Sequence, residues 1–203
     1  MIEAAVLDLG NVLVRWDPRR PFVGRLPTSA TEAFLTEFDF LGFNHRQDSG
    51  RSWADARADL AASAPEHLPA LDVYVEHFAD TLAGPVAGSA RLVRDLRAAG
   101  IRLLGLTNWS AETFHLAAPA APAIGLLEDV LVSGEVGLAK PDPRIFRLLT
   151  DRYGLRPDRT VFADDSVANV TAAADAGFVA LLFTTADALR ADLRARGVVL
   201  PRT

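Results

Sequence analysis

The sequence predicts an α/β protein, a doubly wound parallel sheet with a small all-helical segment inserted after its first strand. Three observations predict it. From Pro85 onward, short uninterrupted apolar runs alternate with amphipathic helical patterns, the signature of a parallel sheet covered on both faces. Between Pro18 and Pro85 helical stripes follow one another with no strand pattern. Three apolar runs end in polar groups, Asp8, Thr107-Asn108 and Asp164-Asp165, which puts those groups at the C-terminal edge of the sheet, where open α/β sheets hold ligands.

The first run, Ala5-Val6-Leu7-Asp8-Leu9-Gly10-Asn11-Val12-Leu13, reads as a buried strand ending at Asp8 and breaking at a glycine. Val14 to Pro21 is rich in Pro and Arg and reads as an irregular boundary. Ser29-Ala30-Thr31-Glu32 has the form of a capping box opening a helix with Phe34 and Phe38 on one face. Asn44 to Ser52 reads as a polar turn around Gly50. A second helix covers about 53–62 with Trp53, Ala56 and Leu60 in register, and Leu71, Tyr74, Val75, Phe78 and Leu82 stripe a third. The expected division is therefore a core of residues 1–14 and 85–203 with a helical domain at 15–84.

Beyond Pro85, Ser89 is expected to cap a helix carrying Leu92, Val93 and Leu96 and ending at Gly100. Ile101–Leu106 is the second buried strand, and Ser110 is expected to start another helix. Asp129–Val132 is a short strand. Asp142 and Pro143 then mark a helix start, as N-cap and first helical residue, with Gly154 at the end. Thr160–Ala163 is a strand, Val167–Ala176 a helix, Phe178–Phe183 the last strand and 186–195 a final amphipathic helix.

Composition narrows the function classes. The chain has 203 residues, half of them apolar, enough for one domain or a core plus a small insert. A net charge of −5 with no dense Lys/Arg run argues against a nucleic-acid partner. Cysteine is absent, which excludes disulfides and thiol chemistry. The longest uncharged apolar stretch, 116–127, is interrupted by Pro119, Pro122 and Gly125, so no membrane span is expected. Met1-Ile2-Glu3-Ala4 lacks a basic leader, and a cytoplasmic protein, monomer or homodimer, is the expectation. His45, His67, His77 and His115 show no zinc-like spacing. The chain carries twenty arginines and one lysine, Lys140, which points to a site needing a compact ammonium that a planar guanidinium does not replace.

Asp8-Leu9-Gly10-Asn11-Val12, Leu106-Thr107-Asn108, Lys140-Pro141-Asp142-Pro143 and Phe162-Ala163-Asp164-Asp165-Ser166 occur in this order across the whole chain. In them the sequence resembles the haloacid dehalogenase superfamily, in its subfamily IA-like form with a helical C1-type cap and a DxGNV block. The resemblance implies a magnesium-dependent phosphatase that acts on a small phosphorylated metabolite, a sugar phosphate being one candidate. It implies Asp8 as the nucleophile that forms an aspartyl-phosphate, which splits one hard step into two. Magnesium would be held by Asp8, the Gly10 carbonyl, Asp164 and Asp165, hard oxygen donors suited to that ion. Lys140 and Thr107 would be catalytic, with Thr107, Asn108, Gly10 and Asn11 around the phosphoryl group.

One departure stands out. Many phosphatases of the superfamily carry an acid/base Asp two residues after the nucleophile, where this chain has Gly10. Asp17, His45 and Asn11 are the candidate replacements. Arg46, Asp48, Gly50 and Trp109 are expected to face the substrate, and Arg15, Arg19 and Arg20 to suit a second anionic group. Two other readings compete. A 2-haloacid dehalogenase would use the same Asp8 without metal, but expects neutral residues where Asp164 and Asp165 stand. A non-catalytic phosphate-binding relative is the other, supported only by Gly10.

Overall fold

The structure is a computed structural model and describes residues 1–201. The chain runs β1 (Ala4–Leu7), β2 (Val14–Trp16), α1 (Thr28–Glu32), α2 (Phe40–Asp48), α3 (Trp53–Ser63), α4 (Leu68–Glu76), β3 (Leu82–Pro85) and α5 (Ser89–Ala98). It continues through β4 (Arg102–Thr107), α6 (Ala117–Ala120), β5 (Asp129–Val132), α7 (Ser133–Val136), α8 (Pro143–Tyr153), β6 (Thr160–Asp164), α9 (Val167–Asp175), β7 (Val179–Leu182) and α10 (Ala186–Ala195). Five strands form one parallel sheet in the order β5-β4-β1-β6-β7. The chain passes to one side of β1 for β4 and β5 and to the other for β6 and β7, so the order reverses beside β1. A crevice opens there at the carboxyl ends of the strands.

Strand geometry sends alternate side chains to opposite faces. Ala5 and Leu7 pack with Leu92, Val93 and Leu96 of α5 and Leu189 and Leu193 of α10. Ala4 and Val6 pack with Ile145, Phe146 and Leu149 of α8 and Ala173 of α9. Both faces of β1 are thereby dry, which is why its sequence is an unbroken apolar run. Gly105 in β4 has a packing reason: a Cβ there would come within 2.9 Å of Val130 and 3.0 Å of Leu9.

The helical elements between β2 and β3 close over an aromatic cluster. Phe34 lies 5.2 Å from Phe40, and Tyr74 lies 5.0 Å from Phe40 and 5.6 Å from Phe78, ring centre to ring centre. This cluster is continuous with the α5 face of the core through Trp109.

Several local expectations change. Leu82 does not continue the third helix, which ends at Glu76; Leu82–Pro85 is a strand paired antiparallel with Val14–Trp16, so the stretch read as an irregular boundary is half of a two-stranded ribbon. Asn44 to Asp48 is helix rather than turn. The Asp39 carboxylate caps α2 by accepting from the Gly42 N–H, and the buried face is Phe40, Phe43 and Gln47, leaving polar residues on the other sides. Ser29 is not a cap: α1 starts at Thr28 after Pro27, and a single π-helical turn over Ala33–Glu37 still stacks Phe34 on Phe38. Ser89 does not cap α5 either. Gly88, at φ +79°, turns the chain, and the Ser89 hydroxyl donates back to the Val86 carbonyl at 2.8 Å. Ser110 opens a turn, and only short helical turns follow, over Phe114–Leu116, α6 and Pro122–Leu126. Asp142 does cap α8, accepting from the Arg144 N–H at 2.8 Å.

Candidate active site

The register of the sheet sets the site. Leu7 lies level with Gly105 on one side and Ala163 on the other, so the residues that follow on the three central strands, Asp8, Leu106-Thr107 and Asp164, reach the same edge. The Asp8 N–H donates to the Ala163 carbonyl at 2.9 Å and continues the ladder one step past β1. A tight turn follows, with the N–H groups of Leu13 and Val14 donating to the Leu9 carbonyl at 2.8 and 2.9 Å. Asn11 sits in it at φ +55°, a conformation that Asn tolerates better than most residues, and its Oδ1 accepts from the Trp16 N–H at 3.0 Å.

Lys140 is the centre of the polar cluster. Its side chain is 1% exposed, and its ammonium donates to Asp8 Oδ1 at 2.7 Å, Asp164 Oδ2 at 2.6 Å and the Leu106 carbonyl at 2.8 Å. Three acceptors placed around one nitrogen match the three donors of an ammonium and not a planar guanidinium, which accounts for the single lysine of the chain. Asn108 fixes the backbone at this point: its Oδ1 accepts from the Lys140 N–H, and its Nδ2 donates to the Lys140 carbonyl, both at 2.8 Å. The oxygens of Asp164 are further engaged by the Ser166 N–H at 2.8 Å and the Asn169 amide at 3.1 Å. Asp165, the next residue, is exposed toward the cavity with Asn11 against its carboxylate.

Charge explains the ionisation in this cluster. Burial alone would lower the Lys140 pKa, but Asp8 and Asp164 outweigh it and hold the ammonium above its ordinary value. Burial raises the Asp8 carboxyl against the pull of Lys140. Burial and the neighbouring Asp164 raise Asp165. Oxygens of Asp8, Asp164 and Asp165 lie within 4.8 Å of one another. One ammonium offsets only one of the three carboxylates, so the donor set is hard, all-oxygen and still negative, and it fits a divalent cation such as magnesium.

These groups form one end of a cavity of about 170 Å³. Asp8, Gly10, Asn11, Thr107, Asn108, Lys140 and Asp165 all line it, and Asp164, fully buried, joins them through its bond to Lys140. The opposite wall comes from the helical segment. There Asn44, Asp48, Trp53 and Tyr74 line the cavity, joined by Trp16, Phe78, Trp109 and Ser110. Trp109 is held by its N–H on Ser133 Oγ at 2.9 Å and its indole N–H on Thr113 Oγ1 at 3.1 Å, and Gly134 packs so closely that a Cβ would come within 2.6 Å of the Trp109 carbonyl.

Of the residues expected to face substrate, Asp48 and Trp109 line the cavity, whereas Arg46 and Gly50 do not. Arg46 lies over the Phe43 ring at 5.4 Å. Arg15, Arg19 and Arg20 are spent elsewhere, on the Ala83 carbonyl, Glu32 and the Asp80 carbonyl respectively. Among the candidate acid/base groups, Asp17 and His45 are outside the cavity lining, and Asn11 is within it. Sequence reasoning did not pick out Trp53 or Tyr74, whose helical spacing reads as core packing, or Asn169, whose place three residues after Asp164-Asp165-Ser166 was the available signal.

Residues 2–177 match the haloacid dehalogenase-like hydrolase family. The chain belongs to that family. It is 29% identical over 198 residues to the sesquiterpene phosphatase astK of Aspergillus oryzae, covering 95% of each chain. It is 28% identical over 204 residues to the drimenol cyclase drtB of Aspergillus calidoustus; that match takes in 95% of this chain and spans 36% of the cyclase. Among solved structures, an Asp12Ala variant of a haloacid dehalogenase family enzyme from Bacteroides thetaiotaomicron, in complex with magnesium and inorganic phosphate, superposes with a TM-score of 0.71 at 19% identity, covering 91% of this chain and 95% of the other. The chain is thus an enzyme of a hydrolase family with phosphatase relatives. No helix among the described residues is long and apolar enough to cross a membrane.

Proposed function

We propose that this protein is a magnesium-dependent phosphomonoesterase of the subfamily IA-like kind, which hydrolyses a small phosphorylated metabolite through an aspartyl-phosphate on Asp8. Residues 15–84 act as a helical cap on a core of residues 1–14 and 85–203. The observation that carries the reading is the Lys140 ammonium bonded to Asp8 and Asp164 at the closed end of a cavity that Asp165 also faces. The phosphatase relative and the magnesium–phosphate complex of the structural neighbour support it.

The residues that would hold magnesium are Asp8, Asp165 and the Gly10 carbonyl, with Asp164 close by. When bound, the ion neutralises phosphoryl oxygens so that a carboxylate can approach phosphorus. Asp8 is then the nucleophile, with its free oxygen turned to the substrate. Lys140 holds that carboxylate in place and adds positive charge beside the transferring group. The Thr107 hydroxyl and the amides around Asn108 and Asn11 bind phosphoryl oxygens. Asp164 anchors Lys140 from behind. A cavity of about 170 Å³ suits a phosphoryl group with a small alcohol, since a 150 Å³ cavity already holds benzene. Sugar phosphates of a few carbons fall in that class.

The acidic pair Asp164-Asp165 weighs against a metal-free 2-haloacid dehalogenase. The test is phosphate release from an aryl phosphate, with magnesium and with a chelator, for wild type and Asp8→Asn. Metal-dependent turnover that falls by about 10³-fold or more in the variant is expected. No turnover of any phosphoester with magnesium present would overturn the reading, and halide release from a 2-haloacid without metal would replace it by the dehalogenase.

A further inference from the structure

On the sheet side of this cavity every ionisable group already belongs to the nucleophile's charge cluster. Gly10 occupies the position where a second Asp would stand, and a Cβ built there meets nothing within 4 Å. Among the described residues the ionisable groups lining the cavity are Asp8, Lys140 and Asp165 at the sheet end, and Asp48 and Tyr74 on the helical wall. The first three are tied up in the nucleophile and its charge cluster. We propose, resting on the phosphatase reading, that Asp48 is the acid/base of the reaction: its carboxyl protonates the departing alcohol oxygen and later takes a proton from the attacking water.

The surroundings of Asp48 fit that work. It sits at the C-terminal end of α2, where the Asn44 amide donates to its Oδ2 at 3.1 Å and the Ser110 backbone N–H donates to the same carboxyl. Tyr74 of α4 faces it as a neutral phenol that burial and the Asp48 charge keep from ionising. No arginine, lysine or histidine forms an ion pair with Asp48 among the described residues. A carboxyl buried without a cation keeps its proton to higher pH, and burial pushes Asp48 up to about 7. A group poised near the working pH can give a proton in one half-reaction and accept one in the next.

Three buried polar atoms of residues lining the same cavity make no hydrogen bond of ordinary geometry within the protein: Asn44 Oδ1, Trp53 Nε1 and Tyr74 Oη, the last with only the Trp16 side chain against it. Trp53 and Tyr74 are 6% and 0% exposed. Buried polar atoms are rarely left unpaired, and a set of one acceptor, one donor and one hydroxyl matches the hydroxyls of an aliphatic alcohol. Aliphatic alcohols are poor leaving groups, the class for which protonation matters most.

In the first step the Asp8 carboxylate oxygen forms a bond to phosphorus. The bond from phosphorus to the alcohol oxygen breaks, its electron pair stays on that oxygen, and the Asp48 proton moves there, leaving Asp48 ionised. In the second step a water oxygen bonds to phosphorus, one of its protons passes to Asp48, and the phosphorus–Asp8 bond breaks to return the carboxylate.

The test uses two aryl phosphates of similar shape, 4-nitrophenyl phosphate with a weakly basic leaving group and phenyl phosphate with a more basic one. Asp48→Asn should keep kcat/KM for the first within about threefold of wild type and lose about 10²-fold of kcat/KM on the second, while kcat falls on both because the water step they share also needs the Asp48 base. For phenyl phosphate, wild-type kcat/KM should fall as pH rises through about 7, and that limb should be missing from the variant. Adding Gly10→Asp to Asp48→Asn should restore part of the phenyl phosphate rate, because the open space at Gly10 lets an acid back in. Equal losses of kcat/KM on both substrates, or an unchanged pH limb, would overturn the proposal. Asn resembles the protonated carboxyl that this site favours, so the variant is expected to fold, and the wild-type pH profile tests the assignment without any variant. Wild type inactive on both probes would instead remove the phosphatase reading itself.

Discussion

On the sheet wall of the cavity the central polar groups are bonded within the protein: Lys140 uses all three donors, and Asp164 accepts from Lys140, Ser166 and Asn169. On the helical wall, Asn44 Oδ1, Trp53 Nε1 and Tyr74 Oη make no hydrogen bond of ordinary geometry within the protein, the Tyr74 hydroxyl having only the Trp16 side chain against it. The difference separates two jobs. A saturated network holds charged groups in one geometry at low dielectric, which is what transition-state stabilisation requires. An unsaturated set leaves hydrogen-bonding capacity next to the cavity that the fold itself does not use. The contrast predicts opposite responses to mutation on the two walls.

The largest effect is expected at Lys140. Lys140→Met removes the cation from between two buried carboxylates and should lower unfolding stability by about 3–5 kcal/mol while abolishing turnover. Magnesium should raise the melting temperature of this variant more than that of wild type, since the ion then offsets charge that the ammonium no longer does. A variant as stable as wild type in chelator would break the claim that this network is saturated and tightly coupled. At Tyr74 the sign reverses. Tyr74→Phe deletes a buried hydroxyl that makes no hydrogen bond of ordinary geometry, so the ligand-free protein should gain about 1 kcal/mol in urea unfolding, while KM for a hydroxylated phosphoester rises severalfold. Loss of stability there would show that the hydroxyl is satisfied in solution and the contrast overdrawn. The smallest effect serves as the baseline: Arg57–Asp72 joins α3 to α4 with side chains 54% and 48% exposed, and Arg57→Ala should leave both the melting temperature and the kinetics unchanged.

Asp48 also links the helical wall to pH. Its folded pKa is raised from 3.8 to about 7, so the folded state holds the proton more tightly than the unfolded chain does. Its contribution to stability is therefore fully present below pH 4 and is lost as pH rises toward 7. Thermal unfolding of Asp48→Asn should lack that part of the wild-type decline.

The sheet wall was the legible one. Asp8, Thr107 and Asp164-Asp165 stand out because each interrupts an apolar run at the strand end, and Lys140 because no other lysine is present. Those signals are local, and the register of a parallel sheet does the assembling. The helical wall was less legible for physical reasons. Trp53 and Tyr74 sit at core positions of their helices, so periodicity reports their burial, and only the folded packing reveals that their polar atoms go unbonded. Leu82–Pro85 escaped as a strand because its four residues include Gly84 and Pro85 and its pairing partner lies about 70 residues away in sequence, where Val14–Trp16 is shorter still. The helix through Asn44–Asp48 was hidden by its polar surface and by a cap at Asp39 outside the stretch that looked like a turn.

The most direct test of the central claim is to mix the enzyme with magnesium and an aryl phosphate, quench in acid within the first turnovers, and map the peptides by mass spectrometry. The account predicts one added phosphoryl group on the peptide containing Asp8, released by hydroxylamine as an acyl phosphate and missing from Asp8→Asn. Rapid phosphate release by a wild-type enzyme whose Asp8 peptide never carries the label under any quench time would contradict it.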